Sequence, residues 1–178
     1  MNTHFGNLFA IFLLSLQIAA LQVSAMPIWP IRPNEDPDHD RVNCTFCEIH
    51  PTGGAHFHYG IDIDCTLGVH PKPIEHGIVL NIMNHVIQIG HGTPDANGRY
   101  PRKTVIHEFD PAPNLQAGNL VEAGVTELGT IIAPYGHLHF EMWQHLEGDR
   151  YYLVNPLKND ADWALPFQQY VIDIANPQ

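Results

Sequence analysis

From His56 onward the chain is a succession of short apolar runs, each closed by a turn signal. The runs cover 60–65, 78–83, 85–89, 104–109, 129–133, 137–143 and 151–154. Gly68, Gly77, Gly90-His91-Gly92, Asn97-Gly98, Gly118, Gly124 and Gly148-Asp149 lie between or beside them. None of the runs sustains a 3.6-residue period over an ordinary helix length. Strand-length segments at this spacing predict a mainly β domain, built on a small antiparallel sheet. Residues 163–174 fit either a short helix or a last strand. Residues 92–103, GTPDANGRYPRK, read as a polar loop.

Composition narrows the function. The chain has 178 residues, the length of one domain. Its formal charge is −11, with 19 Asp plus Glu against 8 Lys plus Arg. That balance argues against a nucleic-acid partner, which needs a basic face. It argues equally against a polybasic membrane-surface protein. Hydrophobic residues at 44% rule out wholesale disorder. The 13 histidines outnumber Lys plus Arg, and imidazole is both a common metal ligand and a base near neutral pH. Metal or proton chemistry is the first expectation.

The chain divides into three parts. Residues 8–20, LFAIFLLSLQIAA, have the length of a signal-peptide apolar region, and Val23-Ser24-Ala25 offers a cleavage site. Residues 1–25 are therefore expected to be a signal peptide, giving a secreted or periplasmic product. No second long apolar stretch follows, so the mature chain should have no membrane span. Residues 26–50 form a Pro-rich acidic arm, with Pro27, Pro30, Pro33 and Pro37 among Glu35, Asp36, Asp38 and Asp40. Such a segment has little capacity for a helix or a central strand. Residues 51–178 hold the β domain. Cys44, Cys47 and Cys65 are an odd set for an oxidising compartment, and a structural disulfide from Cys65 to the arm leads the readings. A Cys44-x-x-Cys47 redox pair and a small zinc knuckle follow. Asn43-Cys44-Thr45 matches an N-glycosylation acceptor.

Two clusters carry chemistry: His58-Tyr59-Gly60-Ile61-Asp62 and His137-Leu138-His139-Phe140-Glu141. In a strand, residues two apart share a face, so His137 and His139 point the same way. A second element bringing His58 and Asp62 to that face would complete three N/O ligands with an open position. That is the donor set of a catalytic zinc site. No H-E-x-x-H, no G-x-S-x-G and no deaminase cysteine pattern is present.

These two clusters, in this order, resemble the M23 family of zinc metallopeptidases, the lysostaphin and LytM type. The resemblance covers about residues 56–160. Val86-Ile87-Gln88-Ile89-Gly90-His91-Gly92 looks like the family's central strand, and Thr104-Val105-Ile106-His107 like the strand after it. The stretch 119–129 resembles its glycine-spaced loop, and Val154-Asn155-Pro156 its close. The resemblance implies an antiparallel β-sheet with an open groove over Zn2+. It implies His58, Asp62 and His139 as zinc ligands, His137 as general base and His107 as the second catalytic histidine. Glu141 is expected behind the ligands rather than among them, and His91 is a rival for the second histidine. The implied activity is a secreted metalloendopeptidase that cleaves peptide bonds in bacterial peptidoglycan with a zinc-activated water. The chain departs from the family before H-x-H, where Ile131-Ile132-Ala133-Pro134-Tyr135-Gly136 stands, and before His107. Gly60-Ile61-Asp62-Ile63-Asp64-Cys65 also resembles the leukocyte-derived chemotaxin branch of the fold. That branch implies a non-catalytic zinc-containing binding or signalling protein, with Cys65 bridged to Cys44 or Cys47. His39, His50, His56, His70, His76, His85 and His145 are expected at the surface or in local hydrogen bonds.

Overall fold

Each apolar run contains a strand in the computed structural model, which describes residues 27–32, 34–36, 41–50, 56–157 and 171–172. The strands are β1 (Arg41–Cys44), β2 (Ile49–His50), β3 (His56–Phe57), β4 (Ile61–Asp64), β5 (Gly77–Met83), β6 (Val86–His91) and β7 (Arg102–His107). They continue with β8 (Phe109–Pro111), β9 (Leu120–Val121), β10 (Gly129–Ile131), β11 (His137–Glu147), β12 (Arg150–Val154) and β13 (Val171–Ile172). No helix occurs among the described residues. Within 163–174 only residues 171–172 are described, and they form β13. The expected signal peptide lies outside the described residues. Among those described, no helix is long and apolar enough to cross a membrane.

Nine strands form one sheet, in the order β13-β1-β4-β11-β7-β6-β5-β9, with β12 on β11. The pairing is antiparallel except for β1 on β13. The alternation of β11 sets the two faces. Leu138, Phe140 and Met142 are fully buried, while His137 and His139 on the other face are partly exposed. Ile61 and Ile63 of β4, Ile106 of β7, and Ile87 and Ile89 of β6 join the buried face. Each such side chain contributes about 1.5–3 kcal/mol by leaving water.

Two expectations change here. The Pro-rich segment packs into the domain. Trp29 and Ile31 are buried in the core. Ile28 N–H donates to Ile74 O (2.9 Å), and Lys72 N–H to Pro30 O (2.8 Å). Strand β1 follows and sits between β13 and β4. Proline keeps 27–32 from regular pairing but does not prevent the apolar side chains between prolines from being buried. The cysteines also differ from expectation, being free thiols with Cys44 and Cys65 buried. Cys44 lies opposite Asp62. Cys65 is three residues further on, about 10 Å of strand, and of opposite side-chain parity. That is beyond disulfide reach without moving backbone.

His91 belongs to the buried face. It pairs in register with Arg102, whereas His107 pairs with Val86 at the other end of β6. Its Nδ1 contacts His76 O (3.2 Å) and its Nε2 contacts Thr104 Oγ1 (3.0 Å). Burial pushes its pKa from 6.5 down to about 4, with Arg102 adding to the effect against the His76 carbonyl bond. The fold therefore holds His91 neutral. Its contribution is complete above pH 6.5 and is lost as pH falls from there towards 4, a change of about 3 kcal/mol. Denaturant unfolding of wild type and His91→Asn across that range should show the wild-type excess in slope. Parallel curves would contradict it.

Candidate metal centre

The site is a row across the sheet. Antiparallel register sets Asp62 on β4 opposite His139 on β11, and His139 opposite His107 on β7. Adjacent strands lie about 4.8 Å apart, so three side chains of one row meet above one face. His58 comes from the turn before β4. Its backbone is held by His58 N–H to Glu48 O (2.8 Å) and Cys47 N–H to His58 O (2.9 Å).

Three donor atoms converge. His58 Nε2 is 3.2 Å from Asp62 Oδ1 and 2.9 Å from His139 Nδ1, and His139 Nδ1 is 2.9 Å from Asp62 Oδ1. Donors about 2.0–2.1 Å from a tetrahedral ion stand about 3.3 Å apart, so this triangle fits zinc with slight opening. The outer contacts select the right tautomers. His58 Nδ1 donates to Thr45 O (3.1 Å), leaving Nε2 as donor to an ion. His139 Nε2 faces Glu141 Oε1 (3.3 Å), leaving Nδ1. Trp143 Nε1–H holds the other Glu141 oxygen (2.6 Å). Glu141 thus stands between His139 Nε2 and Trp143 Nε1. Glu141→Gln should weaken zinc affinity about tenfold, measured against a competing chelator. Unchanged affinity would remove Glu141 from this role.

Charge is concentrated here. Burial would raise Asp62, but hydrogen bonds from His139 and His58 outweigh it and hold the carboxyl well below its usual range. Burial would lower His139, yet Asp62 and Glu141 lift it to about 9. In the metal-free site the His139 imidazolium thus stands against the Asp62 carboxylate, and a bound ion would take the place of the His139 proton.

Gly60 lies between His58 and Asp62. A Cβ there would strike the Phe140 carbonyl (its carbon at 2.9 Å) and lie 3.1 Å from His139 Nε2. Gly60→Ala should therefore separate β4 from β11 and cost about 1–3 kcal/mol. Thermal unfolding of the metal-free variant tests this, and an unshifted midpoint would mean that β4 adapts freely.

His137 and His107 flank the triangle. His137 Nδ1 donates to Tyr135 O (3.1 Å), and its Nε2 lies 4.0 Å from Asp62 Oδ1. The same Nε2 pairs with Glu108 Oε2. Burial opposes protonation of His137, but Glu108 and Asp62 prevail and raise its pKa. His107 is shifted the other way. Burial and the neighbouring His139 lower it, against the pull of Glu141, Glu108 and Asp62. Its buried Nε2 has no hydrogen-bond partner and stands 3.7 Å from Glu141 Oε1. His91 is on the opposite face. His70, His85 and His145 contact the backbone carbonyls of Gly129, Phe109 and Gly148. Glu108 escaped the sequence reading; its one signal was a carboxylate directly after His107.

No family model and no curated protein sequence matches the chain. Solved structures do match in fold. A zinc containing peptidase from Vibrio cholerae superposes with a TM-score of 0.56 at 22% identity, over 80% of this chain and 41% of that one. LytU superposes at 0.50 with 25% identity, over 66% and 81%. Helicobacter pylori Csd3 gives 0.53 at 20% identity, over 74% and 34%. The chain thus spans less than half the length of the Vibrio cholerae and Helicobacter pylori proteins. A mainly β chain, an antiparallel sheet and these neighbours together give the fold of the lysostaphin/LytM type of peptidase.

Proposed function

We propose that the protein is an exported zinc metallopeptidase acting on peptide bonds of bacterial peptidoglycan. The observation that carries this reading is the triangle of His58 Nε2, Asp62 Oδ1 and His139 Nδ1, flanked on the same face by His137 and His107. Zinc held by His58, Asp62 and His139 would polarise the scissile carbonyl and lower the pKa of an attacking water. His137 takes up a proton at Nε2 while Nδ1–H stays on Tyr135 O, and the Glu108 and Asp62 carboxylates stabilise the resulting imidazolium. His107 offers a buried, unpaired Nε2 that can donate to the developing oxyanion. Phe57 and Tyr59 flank His58 and are exposed, giving a peptide an apolar rim to lie against.

The lysostaphin/LytM-type fold supports a peptide substrate, and the resemblance of H-x-G-x-D and H-x-H-F-E supports the cell wall as its source. A non-catalytic zinc protein would leave the flanking His107 and His137 without a task. The test is release of peptides from purified cell walls of several cross-bridge types, lost with chelator and restored by zinc. No release from any wall, with zinc bound, would overturn the peptidoglycan reading.

A further inference from the structure

Glu108 occupies a one-residue corner between β7 and β8. Its φ is +72°, a left-handed conformation that costs a non-glycine residue of order 1 kcal/mol or more. The backbone is held on both sides of it. Glu108 N–H donates to His85 O (2.9 Å), and Phe109 is fully buried. The corner delivers the carboxylate onto His137 Nε2. Strain of this kind persists where surrounding structure enforces it, often at functional sites.

Asp62, Glu108 and His137 offer ligand atoms that all lie within 4.8 Å of one another. His137 repeats the arrangement of His58. In both rings Nδ1 is bonded to a backbone carbonyl, Tyr135 O or Thr45 O, and Nε2 is turned towards Asp62 Oδ1. A backbone carbonyl on one ring nitrogen is how a ligating histidine is fixed for metal at the other. Asp62 has two oxygens and belongs to both sets. Bridged ion pairs in hydrolytic enzymes stand about 3.5–4 Å apart, within reach of one shared carboxylate.

We propose that Asp62, Glu108 and His137 form a second divalent-cation site, beside the His58, Asp62 and His139 site and sharing the Asp62 carboxylate. Two carboxylates and one imidazole suit zinc or a harder ion of the same charge. On binding, the ion takes the His137 Nε2 lone pair, the place a proton would occupy when the ring acts as a base, while Nδ1–H stays on Tyr135 O. Glu108 exchanges its pairing with His137 for the ion. A filled second site therefore removes His137 as a base, and excess zinc becomes an inhibitor. The proposal rests on the first site being a zinc site, and the test separates the two.

Metal-free protein is titrated with zinc by calorimetry, and the bound metal is counted by equilibrium dialysis and elemental analysis. Wild type should take up about two equivalents in two steps, filling both donor sets. Glu108→Gln, which keeps size and loses charge, should take up about one, with the tight step unchanged. Glu108→Asn should do the same while the metal-free protein unfolds at no lower temperature, because Asn tolerates the left-handed corner. One equivalent in wild type, or two retained in both variants, overturns the second site. No tight equivalent in wild type overturns the zinc reading beneath it.

Discussion

His58→Ala should purify without tightly bound zinc, where the wild type carries about one tight equivalent at limiting metal. The three donor atoms form a tight triangle. His58 Nε2 lies within 3.2 Å of both other donors, and the ring is pinned by Thr45 O. Removing it leaves one imidazole and one carboxylate, fewer than the three protein ligands of a catalytic site. Affinity should fall beyond the roughly 10–100-fold of an outer-contact change. Elemental analysis reads the effect directly. Equal zinc in both proteins would refute the assignment of His58. Any peptide release should fall with the zinc and not return when physiological zinc is added back.

His137→Ala should behave differently. Its zinc content should stay near that of wild type at limiting metal, because the triangle does not include it. Its rate of peptide release should fall about 10²–10⁴-fold, the range for losing a positioned general base. The loss should appear in kcat more than in KM, since the group acts on a proton in the transition state. Loss of zinc together with activity would make His137 a ligand of the tight site. Retained activity would transfer the base role to another group.

The strands were legible because their side-chain period is two and their boundaries are glycines. The runs at 137–143 and 60–65 show this best, since Leu138, Phe140, Ile61 and Ile63 alternate with polar residues. Strands β1, β9 and β13 were not legible. They are short, and β1 follows a proline-rich stretch whose local chemistry argues against a central strand. What places β1 is its pairing with β4, a long-range contact that no local window contains. In sequence His91 stood as a rival to His107, each lying at or near the end of a strand-length run. They separate only because β6 and β7 pair in a register that turns them to opposite faces.

The sequence by itself determined the β class, the placement of His137 and His139 on one face, and the close spacing of His58 and Asp62 about Gly60. These follow from local periodicity and residue chemistry, which act within a few positions. Only the tertiary structure decided that Asp62, His139 and His107 share one row, that Thr45 and Tyr135 carbonyls fix two imidazoles, and that Glu108 reaches His137. Those contacts join residues distant in the chain or lie with backbone atoms that every residue carries. Their chemistry depends on where strand register and a left-handed corner bring them.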